Sequence, residues 1–165
     1  MLTPEYCGLM AEYNRWMNEK VYNVCLKLSD AQRKEDRHAF FKSIHSTLNH
    51  ILWVDMSWMA RFNNEPLPKS PAGSDLFTSF EELTRTRKDY DTRIIEWTKT
   101  IQSDWLNSPY KFFSIIYQKE LEKPIWVLVA HLFNHQTHHR GQITTLLTQM
   151  GLDVGVTDLA WMGSV

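Results

Sequence analysis

His131-Leu132-Phe133-Asn134-His135-Gln136-Thr137-His138-His139-Arg140-Gly141-Gln142 carries four of the chain's seven histidines and sits inside a helical pattern running from about Ile125 to Met150. An α-helix turns about 100° per residue, so His131, His135 and His139 stack on successive turns of one face. Leu128, Leu132, Ile143 and Leu146 lie along the same side, which predicts that this face points inward. Imidazoles set among apolar side chains need partners. His135 and His139, one turn apart, are able to offer two nitrogens to one metal ion.

Outward from this stretch, the chain reads as three more long helices. Thr3-Pro4-Glu5 is a helix start, with a candidate N-cap followed by proline at the first helical position. Met10, Tyr13, Trp16, Val21, Val24 and Leu28 then recur at helical spacing as far as Ser29-Asp30, with Asn14 and Trp16 as minor pocket candidates. A second helix is predicted from about His38 to Asn63, its apolar stripe beginning at Phe40 and Phe41. Asn63 to Ser74 holds three prolines and one glycine and reads as a loop. A third helix is predicted from about Leu76 to Gln102, with Arg85, Arg87, Lys88, Asp91 and Arg93 on a solvated face. Between Trp105 and Lys123 the helical rhythm breaks. Phe112, Phe113, Ile115, Ile116 and Tyr117 favour a short hairpin or an extended crossing segment. Pro124 then opens the histidine-bearing helix, and Gly151 stops it. The tail Leu152–Val165 reads as coil with a turn near Asp158–Trp161. The expected architecture is all-α, a four-helix bundle with long inter-helix connections and a short hairpin before the last helix, in a single domain spanning residues 1–165.

The composition narrows the function. With 43% hydrophobic residues and a formal charge of −1, the chain is an ordinary globular one. It lacks the basic surplus of a nucleic-acid binder. No apolar run approaches the length of a membrane span, and the N-terminus does not read as a signal peptide. Cys7 and Cys25 have no CxxC spacing and read as free thiols of a reducing, cytoplasmic compartment.

Three readings of the histidine cluster compete. In one, each imidazole simply bonds a nearby carbonyl or side chain. In another, His135 and His139 bind a metal with a third residue from a second helix, leaving positions open for water or substrate. In the last, the cluster is a metal-free acid/base pair, for which no Ser or Cys nucleophile is suitably placed. His50, at mid-height of the second predicted helix, is the first choice of third ligand. His45 lies ~7 Å along the axis on another face and is second choice. Spacing also leaves the pair His131/His135 open. Asp55 is about 140° round the helix from His50, which favours an ion pair or a surface position over coordination.

Asn134-His135-Gln136-Thr137-His138-His139-Arg140-Gly141-Gln142, together with Asn49-His50-Ile51-Leu52-Trp53-Val54-Asp55, resembles the DinB-like (DinB/YfiT) superfamily of damage-inducible metalloproteins. The resemblance extends over essentially the whole chain, including Gly155-Val156-Thr157-Asp158-Leu159. It implies a four-helix bundle, a homodimer, and three histidines around a divalent metal, typically nickel or zinc, at His50, His135 and His139. Superfamily members include thiol-dependent transferases and isomerases that use bacillithiol or mycothiol. The resemblance therefore implies a metal-dependent thiol S-transferase acting on an electrophilic small molecule, or else a non-catalytic metal-binding stress-response protein. Within the motif, Gln142 is a candidate hydrogen-bond partner of a ligand imidazole. Arg140 is a candidate partner of a substrate carboxylate, of Asp55 or of a second subunit. Gly141 would let a helix approach closely, His138 would pack beside a ligand, and His131 would support the site or assist proton transfer.

Overall fold

The computed structural model describes residues 2–71, 73–114 and 117–163. The chain is mostly helical. Its helices are α1 (Pro4–Cys25), α2 (Asp30–Lys34), α3 (Ile44–Phe62), α4 (Phe80–Thr98), α5 (Ser103–Asn107) and α6 (Ile125–Gln149). The strands β1 (Pro109–Ser114) and β2 (Lys119–Pro124) form a two-stranded antiparallel sheet, and a single 3-10 turn covers Leu159–Trp161.

The helix starts are written in short hydroxyl side chains, which satisfy the first free backbone N–H groups. Thr3 accepts from the Tyr6 amide at 3.2 Å, Ser43 from Ser46 at 3.0 Å, and Ser79 from Glu82 at 3.3 Å. Ser29 and Gln32 form a reciprocal capping box, so the chain starts a new helix at α2 instead of prolonging α1. At the other end of α6, Gly151 sits at φ +76°. Its amide bonds the Thr148 carbonyl and the Leu152 amide bonds that of Leu147, both at 2.9 Å, which closes the helix in a Schellman turn.

Several boundaries differ from the periodicity. The second long helix begins at Ile44, not near His38. His38 (φ +57°) and Lys42 (φ +64°) are left-handed, and a tight turn from Ala39 to Lys42 occupies the interval. Phe40 and Phe41 therefore belong to that turn and not to the helical stripe. The third long helix starts at its Ser79 cap, later than Leu76, and ends at Thr98. The predicted hairpin is β1–β2, with Phe112 paired to Leu121. Of the residues on which it was predicted, Ile115 and Ile116 lie outside the described ones, as do Ala72 of the long loop and Ser164–Val165 of the tail. No described helix is long and apolar enough to cross a membrane.

α1 packs on α4 and α6, and α3 packs on α6 and α4. Leu48, Leu52, Met59, Leu83, Leu132 and Phe133 are among the fully buried side chains of this core. A polar network runs through the same interior and touches all four long helices. Arg87 of α4 bonds Asp55 of α3 at 2.5 Å and pairs with Asp91 at 2.8 Å. Asn18 of α1 donates to Asp91 at 2.9 Å, and Arg140 of α6 donates to Gln136 at 2.8 Å and to Asn14 at 2.7 Å. Arg87 and Asp91, expected on a solvated face, are thus buried. Ion pairing overrides the exposure their charge suggests, because a buried charge is tolerated where it is paired. Asn14 serves this network instead of lining a pocket, while Trp16 is half-buried against Tyr13.

Candidate metal centre

α3 contributes one imidazole and α6 two. The Nε2 atoms of His50 and His135 are 3.0 Å apart, although the residues are 85 positions apart in sequence. Ring centroids lie 4.8 Å apart for His50 and His139, and 4.4 Å for His135 and His139. One ligand nitrogen from each of the three lies within 4.8 Å of the others, an arrangement that could hold a metal ion. A tetrahedral ion with metal–nitrogen bonds of ~2.0–2.1 Å spaces its nitrogens about 3.3 Å apart, close to the His50–His135 separation.

The surroundings fix these rings and keep them neutral. Phe41 stacks on His50 with centroids 3.8 Å apart and meets His139 edge-on at 5.4 Å. Burial, and then the neighbouring His139, pushes the His50 pKa down to about 4. Burial and the surrounding imidazoles push that of His135 down to about 2. His139 is also lowered by burial, against the pull of its hydrogen bond to Gln142. Neutral imidazole is the form that ligates metals. The Nδ1 atoms of His50 and His135 are buried without a hydrogen-bond partner among the described residues. If their protons sit on Nδ1, two Nε2 lone pairs face each other at 3.0 Å, an arrangement that a cation between them relieves. The donor set therefore fits a divalent metal.

The remaining candidates separate clearly. Gln142 Oε1 lies 2.8 Å from His139 Nδ1, and its amide nitrogen lies 3.2 Å from His138 Nε2. With the proton on Nδ1, His139 keeps its Nε2 lone pair for the cluster. His138 is exposed beside His139. His131 stands one turn back, its ring 5.7 Å from His135 and 5.5 Å from Trp58, outside the triad. His45, the second-choice ligand, is buried elsewhere with its Nε2 2.8 Å from the Phe77 carbonyl. Asp55 is paired with Arg87 and fully buried, so of the two expectations the ion pair holds and the surface position does not. Arg140 meets neither Asp55 nor the cavity. It lies buried among Asn14, Asn18 and Gln136, because one residue past His139 is a 100° turn into the helix interface. Gly141 is exposed, and a Cβ added there would meet nothing within 4 Å among the described residues, so no described helix approaches it.

Sequence reasoning assigned Phe41 to a helical stripe and passed over Trp58 and Arg61. With the triad they line a cavity of about 510 Å³ above the histidines. The i, i+4, i+8 and i+11 spacing of His50, Val54, Trp58 and Arg61 on one helix face was the available signal.

Comparison with known proteins follows the same lines. A family model described as DinB family matches residues 1–164. The "Protein DinB" of Bacillus subtilis (strain 168) is 27% identical over 169 residues, covering 93% of this chain and 91% of that protein. The crystal structure of a DinB-like protein from Bacillus cereus ATCC 10987 shares the fold, with a TM-score of 0.62 at 21% identity. It covers 86% of this chain and 90% of its own.

Proposed function

The chain belongs to the DinB family, and from that premise we propose that it binds one divalent metal ion, zinc or nickel, through His50, His135 and His139. The single observation that carries this reading is the convergence of three neutral imidazoles from two helices beneath an open cavity. In its finer form the reading is a metal-dependent thiol S-transferase that joins a low-molecular-weight thiol to an electrophilic small molecule. When bound, the ion would supply Lewis acidity, lowering the pKa of a thiol brought to it. The protein's own residues would do the rest. Gln142 orients His139, and Phe41 shields one side of the centre from water. The aromatic walls of the cavity receive the apolar part of the electrophile. His131, whose pKa is lowered by partial desolvation of its ring, would take up the thiol proton.

The reading includes the four-helix-bundle arrangement of α1, α3, α4 and α6, a cytoplasmic location and a homodimer. Cys7 and Cys25, both free and buried, accord with a reducing compartment. Leu2, Tyr6 and Trp126 line a shallow apolar cleft that a second copy would cover.

The test is elemental analysis of protein purified without a histidine tag, followed by cobalt substitution and titration with 2-mercaptoethanol and cysteine. One equivalent of metal is expected, lost in His50→Ala, His135→Ala and His139→Ala, with thiols shifting the cobalt spectrum. Metal stoichiometry near zero overturns the metal reading. Full occupancy with no response to any thiol and no turnover of electrophiles overturns the transferase and leaves a non-catalytic metal-binding protein.

A further inference from the structure

The cavity above the histidines is elongated along α3. His50, Val54, Ser57, Trp58 and Arg61 all line it, a spacing that puts them on one helix face. The eleven residues from His50 to Arg61 span about 16 Å of helix axis. Nearer Arg61 than His50, the Trp58 ring meets Phe112 of β1 edge-on at 5.4 Å and His131 of α6 at 5.5 Å. Phe40 and Phe113, 82% and 52% exposed, stand at its rim. Exposed aromatic side chains beside an apolar cavity are what an apolar ligand would cover.

At the end away from the triad lies Arg61. Its Nη1 donates to the Ser57 carbonyl at 3.0 Å, and its guanidinium lies 5.2 Å from the Trp58 ring centre. The side chain therefore folds back toward the histidines, leaving its charge about 10 Å of helix axis from His50. No ion pair of the described residues includes Arg61, whereas Arg87 and Arg93 each have a carboxylate. Among the described residues, no aspartate or glutamate lines the cavity. Arg61 is half-buried, and desolvation lowers its pKa against the opposing pull of Tyr110. A partly desolvated cation without a counter-ion is costly, and a planar guanidinium matches a carboxylate with two parallel hydrogen bonds.

We propose that this cavity binds an anionic, largely apolar small molecule, an aromatic or long-chain carboxylate, whose acid group pairs with Arg61 while its other end reaches the three histidines. The inference rests on the metal reading only for what that other end meets. The acid anchor at Arg61 stands on its own geometry. A cation held by the triad would add positive potential at the opposite end and strengthen the exclusion of cationic ligands.

The experiment titrates the full chain, metal-free and zinc-loaded, with 4-phenylbutyrate, 4-phenylbutanol and 4-phenylbutylamine, following tryptophan fluorescence and calorimetric heat. In both forms 4-phenylbutyrate is expected to bind at least tenfold more tightly than the alcohol or the amine. Arg61→Met keeps the aliphatic stem and should erase that preference, leaving metal content and affinity for the alcohol unchanged. Equal affinities in the unsubstituted protein, or no binding of any probe, overturn the proposal without recourse to a variant. So does a preference that appears only with zinc and survives Arg61→Met, since the acid would then be bound at the triad. An Arg61-dependent preference in a protein that takes up no metal would refute the metal reading alone. Stoichiometric metal with no such preference would refute the acid anchor alone.

Discussion

Replacing Gln142 by Met keeps the length of the side chain and removes its acceptor for His139. The bond at stake is the 2.8 Å contact from His139 Nδ1 to Gln142 Oε1. Outer partners of ligating histidines are worth about 10–100-fold in metal affinity, or roughly 1.4–2.7 kcal/mol. Gln142 is only half-buried, so water is able to replace it in part. The expected loss in Gln142→Met is therefore at the lower end, about tenfold. Gln142→Glu puts a carboxylate in the same place, makes the imidazole a stronger donor and should tighten binding. Competition against a chromophoric zinc chelator at fixed pH measures both, with His139→Ala as the larger loss for scale. Neither substitution touches the core, so the unfolding free energy of metal-free protein should move by less than about 0.5 kcal/mol. Zinc affinity in Gln142→Met within twofold of the unsubstituted protein would refute the argument. Weaker binding in Gln142→Glu would show that the His139 proton is not held on Nδ1.

Two further outcomes follow from buried groups away from the triad. Asp55→Ala leaves Arg87 in the interior with Asp91 alone, at 2.8 Å. Breaking a buried pair costs about 3–5 kcal/mol, and the remaining partner puts the expectation near 3, read from urea unfolding of metal-free protein; a loss under about 1 kcal/mol would contradict it. Burial pushes the thiols of Cys7 and Cys25 up to about 11 and about 12. A thiol whose folded pKa is raised contributes stability that is complete below its unfolded pKa, near 8.5, and is lost as pH rises toward the folded value. Native protein at pH 8 should accordingly react with a disulfide reagent at least about 100-fold more slowly than in guanidinium, since the thiolate is the nucleophile. Rapid labelling of either thiol in native protein would be inconsistent with this burial.

The long helices were legible because their signals are local. Thr3-Pro4 marks the start of α1, Pro124 and Gly151 bracket α6, and the hairpin falls where Phe112-Phe113 interrupts the helical rhythm. The errors came from apolar residues that mimic a helical stripe while the backbone does something else. Phe40 and Phe41 continue the periodicity of α3 backwards, yet Ser43 caps that helix and two left-handed residues precede it. The signal that the helix stops was Ser43 itself, followed by Ile44. Ser29 and Gln32 were likewise a readable capping box that separates α2 from α1. At the site, i, i+4 spacing offered both His131/His135 and His135/His139, and height along the second helix favoured His50 over His45; the structure brings His50, His135 and His139 together. What spacing along one helix does not reveal is the identity of a side chain's partner across the interior. Arg87 and Asp91 look like surface charges until Asp55, 32 residues from Arg87, is placed opposite. Arg140 looks like a binding residue until Asn14 arrives from α1.

These partners connect the polar interior to the site. α6 carries two polar faces one residue apart. His135 and His139 look toward the cavity, while Gln136 and Arg140 enter the network shared with α1. α3 does the same with His50 on one side and Asp55, five residues on, bonded to Arg87 of α4. A helix sliding by one turn moves a ligand about 5.4 Å, far more than a metal–nitrogen bond tolerates. Besides the interlocked apolar side chains of the core, a buried charge that would lose its partner resists such slippage strongly. The network holds α3 to α4 and α6 to α1, and Asn18, which bonds Asp91, joins the two halves. The alignment of His50 with His135 thus depends on polar contacts made on the far sides of both helices, and these supply the register that the cluster of imidazoles alone does not.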